Sequence, residues 1–349
     1  VLTHAWLLPL IPALSFLIIL AVGKKLPRGG SEVGIASVAI CFVLAVAVMA
    51  GWIGRVNHPP EVAHEATTEH STESEGHSTE SEGHSTETES EGHSTETEEG
   101  AAAEGATFAK APAASTAATG AVAAEESEEE HHSTPPVQRS VTWFETGNME
   151  VKAGFLIDGL SGILLVVVTL ISLLVHVFST DYVAGDRRYT HYFAFLSLFT
   201  ASMLFFVISD NTLQMIVGWE LVGLCSFGLI GHWWEEKPNS DAALKAFITN
   251  RVGDVGLLCG MIILYFAAGQ TFDTLTINTL ANEGEIEHFL LLVASLSLIT
   301  AVMSKSGQFV LHTWLPDAMA GPTPVSALIH AATMVVAGVF MVARLYSVF

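Results

Sequence analysis

The chain has 349 residues, 50% hydrophobic and only 14% charged, a balance that excludes an ordinary water-facing globule and is explained by several apolar runs of bilayer-spanning length. Its net charge of -22 is a local property, because residues 57–140 hold 19 glutamates against Lys110 and Arg139. No dinucleotide fingerprint, phosphate loop or basic nucleic-acid patch is present, and Cys41, Cys225 and Cys259 stand singly in apolar runs as small core residues, so neither nucleotide chemistry nor a metal, iron–sulfur or disulfide framework is indicated.

The first run, residues 5–22, is followed at once by Lys24, Lys25 and Arg28. The positive-inside rule puts that loop in the cytoplasm and the N-terminus outside. Because the basic residues follow the apolar core, the run reads as a retained span rather than a cleaved signal peptide. Pro9 and Pro12 fall in its first turns, where proline costs least. A chain starting at Val1 is expected to be a processed product or a fragment. Residues 33–54 form the second span and close an N-terminal helix pair over 1–56.

From 57 to 140 the composition changes. The core of this stretch, HSTESEGHSTESEGHSTETESEGHSTETEEG, is an imperfect repeat almost free of branched aliphatic residues. It cannot bury enough apolar surface to offset its ordering entropy, so a disordered acidic His-rich insert is expected on the outer face. Eight of the 15 histidines lie there (His58, His64, His70, His77, His84, His93, His131 and His132). Weak capture of a transition metal is one use for them; a solvated acidic linker is the plainer one. The Ala-rich continuation, 101–124, is interrupted by Glu104, Lys110 and Pro112 and is not a span.

Order is expected to resume at Val141, with an outer segment and third span (159–178) over 141–190. Spans four to eight then fill 191–349 as one unit: 191–209, 212–231, 242–268, a run from His288, and Pro324–Phe349. Lys24, Lys25, Arg28, Arg187, Arg188, Lys237 and Lys245 all fall on the assigned inner side, which agrees with the alternation. The predicted class is an all-α integral membrane protein of eight transmembrane helices, the seventh discontinuous.

A charge at mid-bilayer depth costs roughly 2.5–3.5 kcal/mol on insertion scales, so ionisable groups inside spans mark a path or a binding site. Glu220, in IVGWELVGLCSFGL, stands between Gly218 and Gly223, which admit close helix approach. It reads as a proton switch or as a fixed ion pair that sets helix packing. Arg251 and Asp254, spaced i, i+3, share a helix face and can neutralise each other. Lys245, nearer the inner interface, is an entrance residue or a snorkelling anchor.

Lys305 lies in SKSGQ, within a run of 28 residues from His288 to Leu315 that is long for one straight span. A broken helix is tolerated in a bilayer only where it is buried or lines a cavity. Lys305 is therefore the leading candidate for a central proton carrier, opposite a carboxylate such as Glu220. His330, about 9 Å beyond Pro324 along a helix, reads as a relay or as a hydrogen-bonded core residue. His312 and Asp317, in HTWLPDAM, read as entrance groups or interfacial anchors.

Three stretches, WELVGLCSFGLIGHWW, KAFITNRVGDVG and KSGQFVLHTWLPDAMAGPTPVSALIHAATMVVAGVFMVAR, resemble in order and separation the antiporter-like family of proton-translocating membrane subunits of NADH-quinone oxidoreductase (complex I). The resemblance is to the subunit L type, counterpart of mitochondrial subunit 5; it covers the eight spans and leaves out the insert. It implies that Glu220 and Lys305 form the charge pair of one half-channel, that Lys305 sits at the discontinuity, that His330 passes protons onward, and that Arg251 and Asp254 are functional or critical to packing. It also implies a bacterial plasma membrane and other membrane subunits of that complex as partners. The chain itself would hold no cofactor, with NADH, FMN, iron–sulfur clusters and quinone handled by partner subunits.

Two positions depart from the family pattern: Ser304 stands where glycine is usual, and Val310 where proline is frequent. The family also continues through a second inverted repeat, a further span and a lateral helix, so the present sequence is expected to hold the N-terminal half-channel alone, as a fragment or a truncated subunit, or with the remaining part supplied by another chain. The large subunit of a multi-subunit sodium/proton antiporter shares these motifs and is the competing transport function. A truncated, non-pumping structural subunit is the competing reading outside transport.

Overall fold

In the computed structural model, residues 2–58, 134–147 and 149–349 are described. The disorder and metal capture expected of the insert lie outside them, apart from its ends. Helices α1 (Leu7–Val22), α2 (Ser31–Asn57), α3 (Gly159–Tyr182), α4 (Tyr189–Val207), α5 (Thr212–Ile230) and α6 (Lys237–Ala267) are followed by a short α7 (Thr274–Asn282) and by α8 (His288–Lys305). A single turn, α9 (Trp314–Asp317), leads to α10 (Thr323–Ala331) and α11 (Met334–Arg344). Among the described residues eight helical segments are long and apolar enough to cross a membrane, the last made of α10 and α11 together.

The burial pattern follows from apolar residues that are not confined to one stripe. α4 is enclosed on nearly every side, with Tyr192, Phe193, Leu196, Phe199, Met203 and Phe206 all buried. On α6, by contrast, Leu244, Ile248, Val252, Val255, Leu258, Ile262 and Phe266 form an exposed apolar stripe, as a lipid-facing surface requires. Cys259 is exposed on α6, so of the three cysteines only Cys41 and Cys225 are core residues. Cys41 has a defined task. Pro12 has no N–H to give to the carbonyl of Leu8 one turn back, and the Cys41 thiol on α2 donates to that oxygen instead, at 3.4 Å.

α6 and α8 meet along a seam of small residues, where Gly253 faces Ser304 and Gly256 faces the hydroxyl of Thr300, with no room for a Cβ at either glycine. Ser304, the position that departs from the family pattern, is thus accommodated by a glycine opposite. α8 ends at Lys305, the chain turns through Gly307 and Val310 at positive φ, and helix resumes briefly at α9. The expected discontinuity of the seventh span is present.

A second interruption was not anticipated. The eighth span breaks at Ala332 and Thr333, where Thr333 has φ -130° and ψ -90°. Hydroxyl groups satisfy carbonyls on both sides of the break: Thr333 Oγ1 donates to Leu328 O at 2.7 Å and Ser306 Oγ to Val335 O at 2.7 Å.

The molecule is also not purely helical. β1 (Val137–Thr146) and β2 (Met149–Ile157) form an antiparallel hairpin running from Val137 opposite Ile157 to Thr146 opposite Met149. β1 begins inside the stretch assigned to the insert, so the ordered region starts earlier than the expected boundary at 140. Its pairing supplies the backbone hydrogen bonds that a linker would leave to water. The base of the hairpin is fastened to the helix connections: Leu156 N donates to Ile208 O at 2.8 Å, and Asn211 Nδ2 to Lys152 O at 3.0 Å.

At the same end, Arg344 of α11 donates twice to Asp158, at 2.7 and 3.1 Å, and once to Ser161 Oγ at 2.5 Å. Asp158 also caps α3 by accepting from Ser161 N at 2.8 Å. This pair pins the last span to the start of the third. Burial pushes the Asp158 carboxyl up, but the guanidinium beside it and the Ser161 hydrogen bonds outweigh burial and hold it below the ordinary carboxylate range. The stabilisation is therefore complete above about pH 4, the unfolded value, and is lost as the pH falls through the lower folded value. Arg344→Ala leaves the carboxylate unpaired; breaking a fully buried pair costs roughly 3–5 kcal/mol, and the lower end applies because Asp158 keeps 26% of its side-chain exposure. Thermal unfolding in detergent is expected to show a lowered midpoint for Arg344→Ala at pH 7, with the gap to the parent closing in strong acid.

Candidate functional site

The charged residues inside the spans converge where α5, α6 and α8 meet. Lys305, the last residue of α8, is fully buried, and its Nζ has no hydrogen-bond partner among the described residues. It lies 4.9 Å above the ring of Trp219, a cation–π contact with the aromatic best suited to it. The position at a helix C-terminus favours a cation further. Trp219, itself buried, donates Nε1–H to Asp254 Oδ1 at 2.6 Å. Asp254 is 3% exposed; its second oxygen lies 3.3 Å from Arg251 Nη1 but without hydrogen-bond alignment.

Glu220 pairs with Arg251 rather than with Lys305. This corrects the expected charge pair. The reason is vertical register. Gly223, one turn beyond Glu220, is the residue at the level of the lysine: a Cβ there would sit 2.9 Å from Lys305 Nζ and 3.3 Å from Arg251 Nη2. Arg251 is thus shared between Glu220 on α5 and Asp254 on its own helix, while its guanidinium stacks 4.6 Å from the Phe247 ring. The intrahelical Arg251–Asp254 pair expected from the i, i+3 spacing exists, but it is one arm of a larger cluster.

The end of α8 is held by groups that motif reading passed over. Trp314 Nε1 donates to Ser304 O at 2.8 Å, adding a second donor to a carbonyl that also accepts from Gly307 N at the helix terminus. Ser306, next to Lys305, reaches across to Val335 beyond the break in the eighth span. His330 lies just before that break, partly buried, with Nε2 buried and lacking a hydrogen-bond partner among the described residues. Lys245 and Asp317, expected separately as entrance groups or anchors, form a half-exposed ion pair at 2.6 Å. That pair sits about 12 Å further along α6 than Gly253, taking 1.5 Å per residue. His312 is exposed beside Phe309, with which it stacks, and takes no part in the cluster.

The members given no role by the sequence are Trp219 and Trp314, while Gly223, expected as a point of close helix approach, proves to face both cations. Trp219 adjoins Glu220 on α5 and could have been found by asking what a desolvated cation packs against. The hydroxyls at the breaks carry no sequence signal of their own. Among the described residues, no cluster of His, Cys, Asp and Glu is arranged to hold a metal ion.

Two family models match the chain. Residues 143–193 match the NADH-ubiquinone oxidoreductase (complex I) chain 5 N-terminus, and residues 209–349 match the NADH:quinone oxidoreductase/Mrp antiporter transmembrane family. The chain is 49% identical over 213 residues to NAD(P)H-quinone oxidoreductase chain 5 of Synechocystis sp., covering 60% of this chain and 31% of the relative. It is 46% identical over 221 residues to the chloroplastic NAD(P)H-quinone oxidoreductase subunit 5 of Mesostigma viride, covering 62% and 34%. Among solved structures, the Mrp complex from Dietzia sp. DQ12-45-1b superposes with a TM-score of 0.56 at 29% identity, covering 60% of this chain and 23% of that one. The chain spans about a third of the length of these chain 5 relatives. Over its matched residues, 143–193 and 209–349, it belongs to the antiporter-like membrane subunits of the NADH-quinone oxidoreductase chain 5 type.

Proposed function

We propose that the chain carries protons through part of the membrane, with Lys305 as the carrier, Asp254 as the carboxylate facing it, Glu220 and Arg251 as the adjoining pair that sets the local charge, and His330 as the next group beyond the helix breaks. The observation that carries this reading is the state of Lys305. A lysine kept for packing alone is expected to be paired when buried, whereas this one is fully buried over the Trp219 ring with its ammonium bonded to none of the described residues. Arg251 gives the cluster a means of switching. When Glu220 is ionised it draws the guanidinium; when Glu220 is neutralised, Arg251 turns wholly to Asp254 and competes there with the lysine, which favours release of the lysine's proton.

By likeness to the relatives, the chain acts as a membrane subunit of a respiratory NADH- or NAD(P)H-quinone oxidoreductase, working beside other membrane subunits. The redox groups (NADH, FMN, iron–sulfur clusters and quinone) belong to partner chains in this reading. The positive-inside distribution supports a cytoplasmic position in a bacterial plasma membrane for the end bearing Lys24, Arg187 and Arg188, with the hairpin end outside. A second reading, the large subunit of a sodium/proton antiporter, is favoured by the likeness to the Dietzia Mrp complex. Sodium-dependent proton movement without a redox donor would select it.

In vesicles from cells making the whole assembly, Lys305→Ala is expected to reduce donor-driven proton uptake by at least roughly tenfold, the lower range for loss of a positioned acid–base group being about a hundredfold. Lys305→Arg separates roles, because arginine keeps the charge but does not release its proton. Uptake is expected to stay low in Lys305→Arg, and parental uptake there would rule out the carrier role. Gly223→Ala presses a methyl group against both cations; assembly at parental levels with reduced uptake is expected, measured by subunit content and by a pH-sensitive dye in the same membranes.

A further inference from the structure

Away from the Lys305 cluster, three helix ends meet at one level: α1 closes at Val22, α4 starts at Tyr189 and α5 closes at Ile230. Between them lies a cavity of about 450 Å³. Its polar wall is cationic, with Lys24, Arg187 and Arg188 lining it together with His191 and His232, against one lining carboxylate, Glu235. Arg188 is already committed: it pairs with Glu235, donates to His232 O, and stacks 4.9 Å from the Trp234 ring. Asp186, just behind, is committed too, accepting from Trp233 Nε1 at 2.9 Å and from Arg188 N at 2.7 Å, with His232 Nε2 3.3 Å away. Lys24 and Arg187 have no ion-pair partner among the described residues.

The opposite wall is different. Phe195, Gly228 and Leu229 line it, and these belong to the membrane-crossing parts of α4 and α5. Trp234 is 61% exposed at the rim, the placement expected of an indole at headgroup depth. A soluble anion has no use for an apolar floor that continues into the spans. A molecule with a phosphate at one end and acyl chains at the other uses both walls, and basic pockets between transmembrane helices are a recognised form of headgroup site.

We infer that this cavity binds the headgroup of an anionic phospholipid, its phosphate held by Lys24 and Arg187, with an acyl chain leaving past Phe195 and Gly228. The inference requires only that the chain spans a membrane and does not depend on the proton-transfer reading. The bound lipid would bridge α1 to α4, whose connection in sequence runs through two other spans and the insert.

The test is lipid retention by the purified full chain in detergent, read by native mass spectrometry after addition of phosphatidylglycerol or phosphatidylcholine. The parent is expected to retain the anionic lipid at least about tenfold better than the zwitterionic one. The double variant Lys24→Ala/Arg187→Ala is expected to lose that preference, Lys24→Glu/Arg187→Glu to fall below parity, and Lys237→Ala, outside the cavity, to keep it. Parent and variants are compared at matched thermal midpoints, and Lys24→Gln alone, expected to give an intermediate preference, serves if the double variants do not fold. Equal retention of both lipids by the parent, or an unchanged preference in Lys24→Gln, would overturn the proposal. So would displacement of the bound lipid by millimolar inorganic phosphate, which would make the cavity a site for a soluble anion.

Discussion

A fully buried ammonium group is the constraint on which the central part of this molecule depends. Lys305 is buried where an unpaired charge costs several kcal/mol, and its surroundings are arranged to lower that cost without a direct salt bridge. The Trp219 face, the C-terminal end of α8 and the Asp254 carboxylate each offer partial negative charge from a different element. None of them is a full partner. A bidentate carboxylate would hold the lysine more firmly and would also hold its proton. The hydrogen bond from Trp219 to Asp254 has the same character, since it occupies one carboxylate oxygen and turns the other toward the cations.

That arrangement needs the helices to approach more closely than ordinary side chains allow. Glycine on α6 opposite Ser304 and Thr300 of α8 brings the two backbones together, and Gly223 on α5 leaves the space that both cations fill. The broken helices follow from the same need. A continuous seventh span would carry Lys305 in mid-helix with its dipole unexposed, whereas a helix that stops there presents carbonyl ends to the charge. Trp314, Ser306 and Thr333 donate to carbonyls beside the two breaks, which ties the irregular backbone to its protein surroundings, as a bilayer requires. Ion pairs at the two ends, Arg344 with Asp158 and Lys245 with Asp317, hold the broken segments in place from outside the centre.

Much of this was legible in the sequence, because a charge in an apolar run is conspicuous by its cost. Glu220, Arg251, Asp254, Lys305 and His330 could all be picked out on that ground, and SKSGQ announced the break in the seventh span. The pairing could not be read. Glu220 and Gly223 differ by one helical turn, about 4.5 Å of rise, and which of them faces Lys305 depends on the axial register of α5 against α8, which no spacing within either helix encodes. The eighth span's interruption had no glycine or proline to mark it, and hydroxyls from Thr333 at the break and from Ser306 on another span donate to the carbonyls beside it. The hairpin was the avoidable omission. Gly147-Asn148 lies between two runs rich in β-branched and aromatic residues, VQRSVTWFET and MEVKAGFLI, a recognisable turn signal overshadowed by the insert before it.

The cluster also has a property that none of its members has alone. With Glu220, Asp254, Arg251 and Lys305 all ionised, two negative and two positive charges share a poorly solvated volume and balance. Adding a proton to either carboxylate, or removing one from the lysine, leaves an uncompensated charge that the remaining groups can relieve only by a second proton movement or by the guanidinium changing partner. Arg251 is the member that cannot exchange its proton, and its contacts with Glu220 and Asp254 are what the proposed transfer would use to carry a change at Glu220 to Lys305. In the proposed transfer path, charge arriving at Glu220 would alter the affinity at Lys305 through the movement of one side chain, Arg251, which contacts both carboxylates.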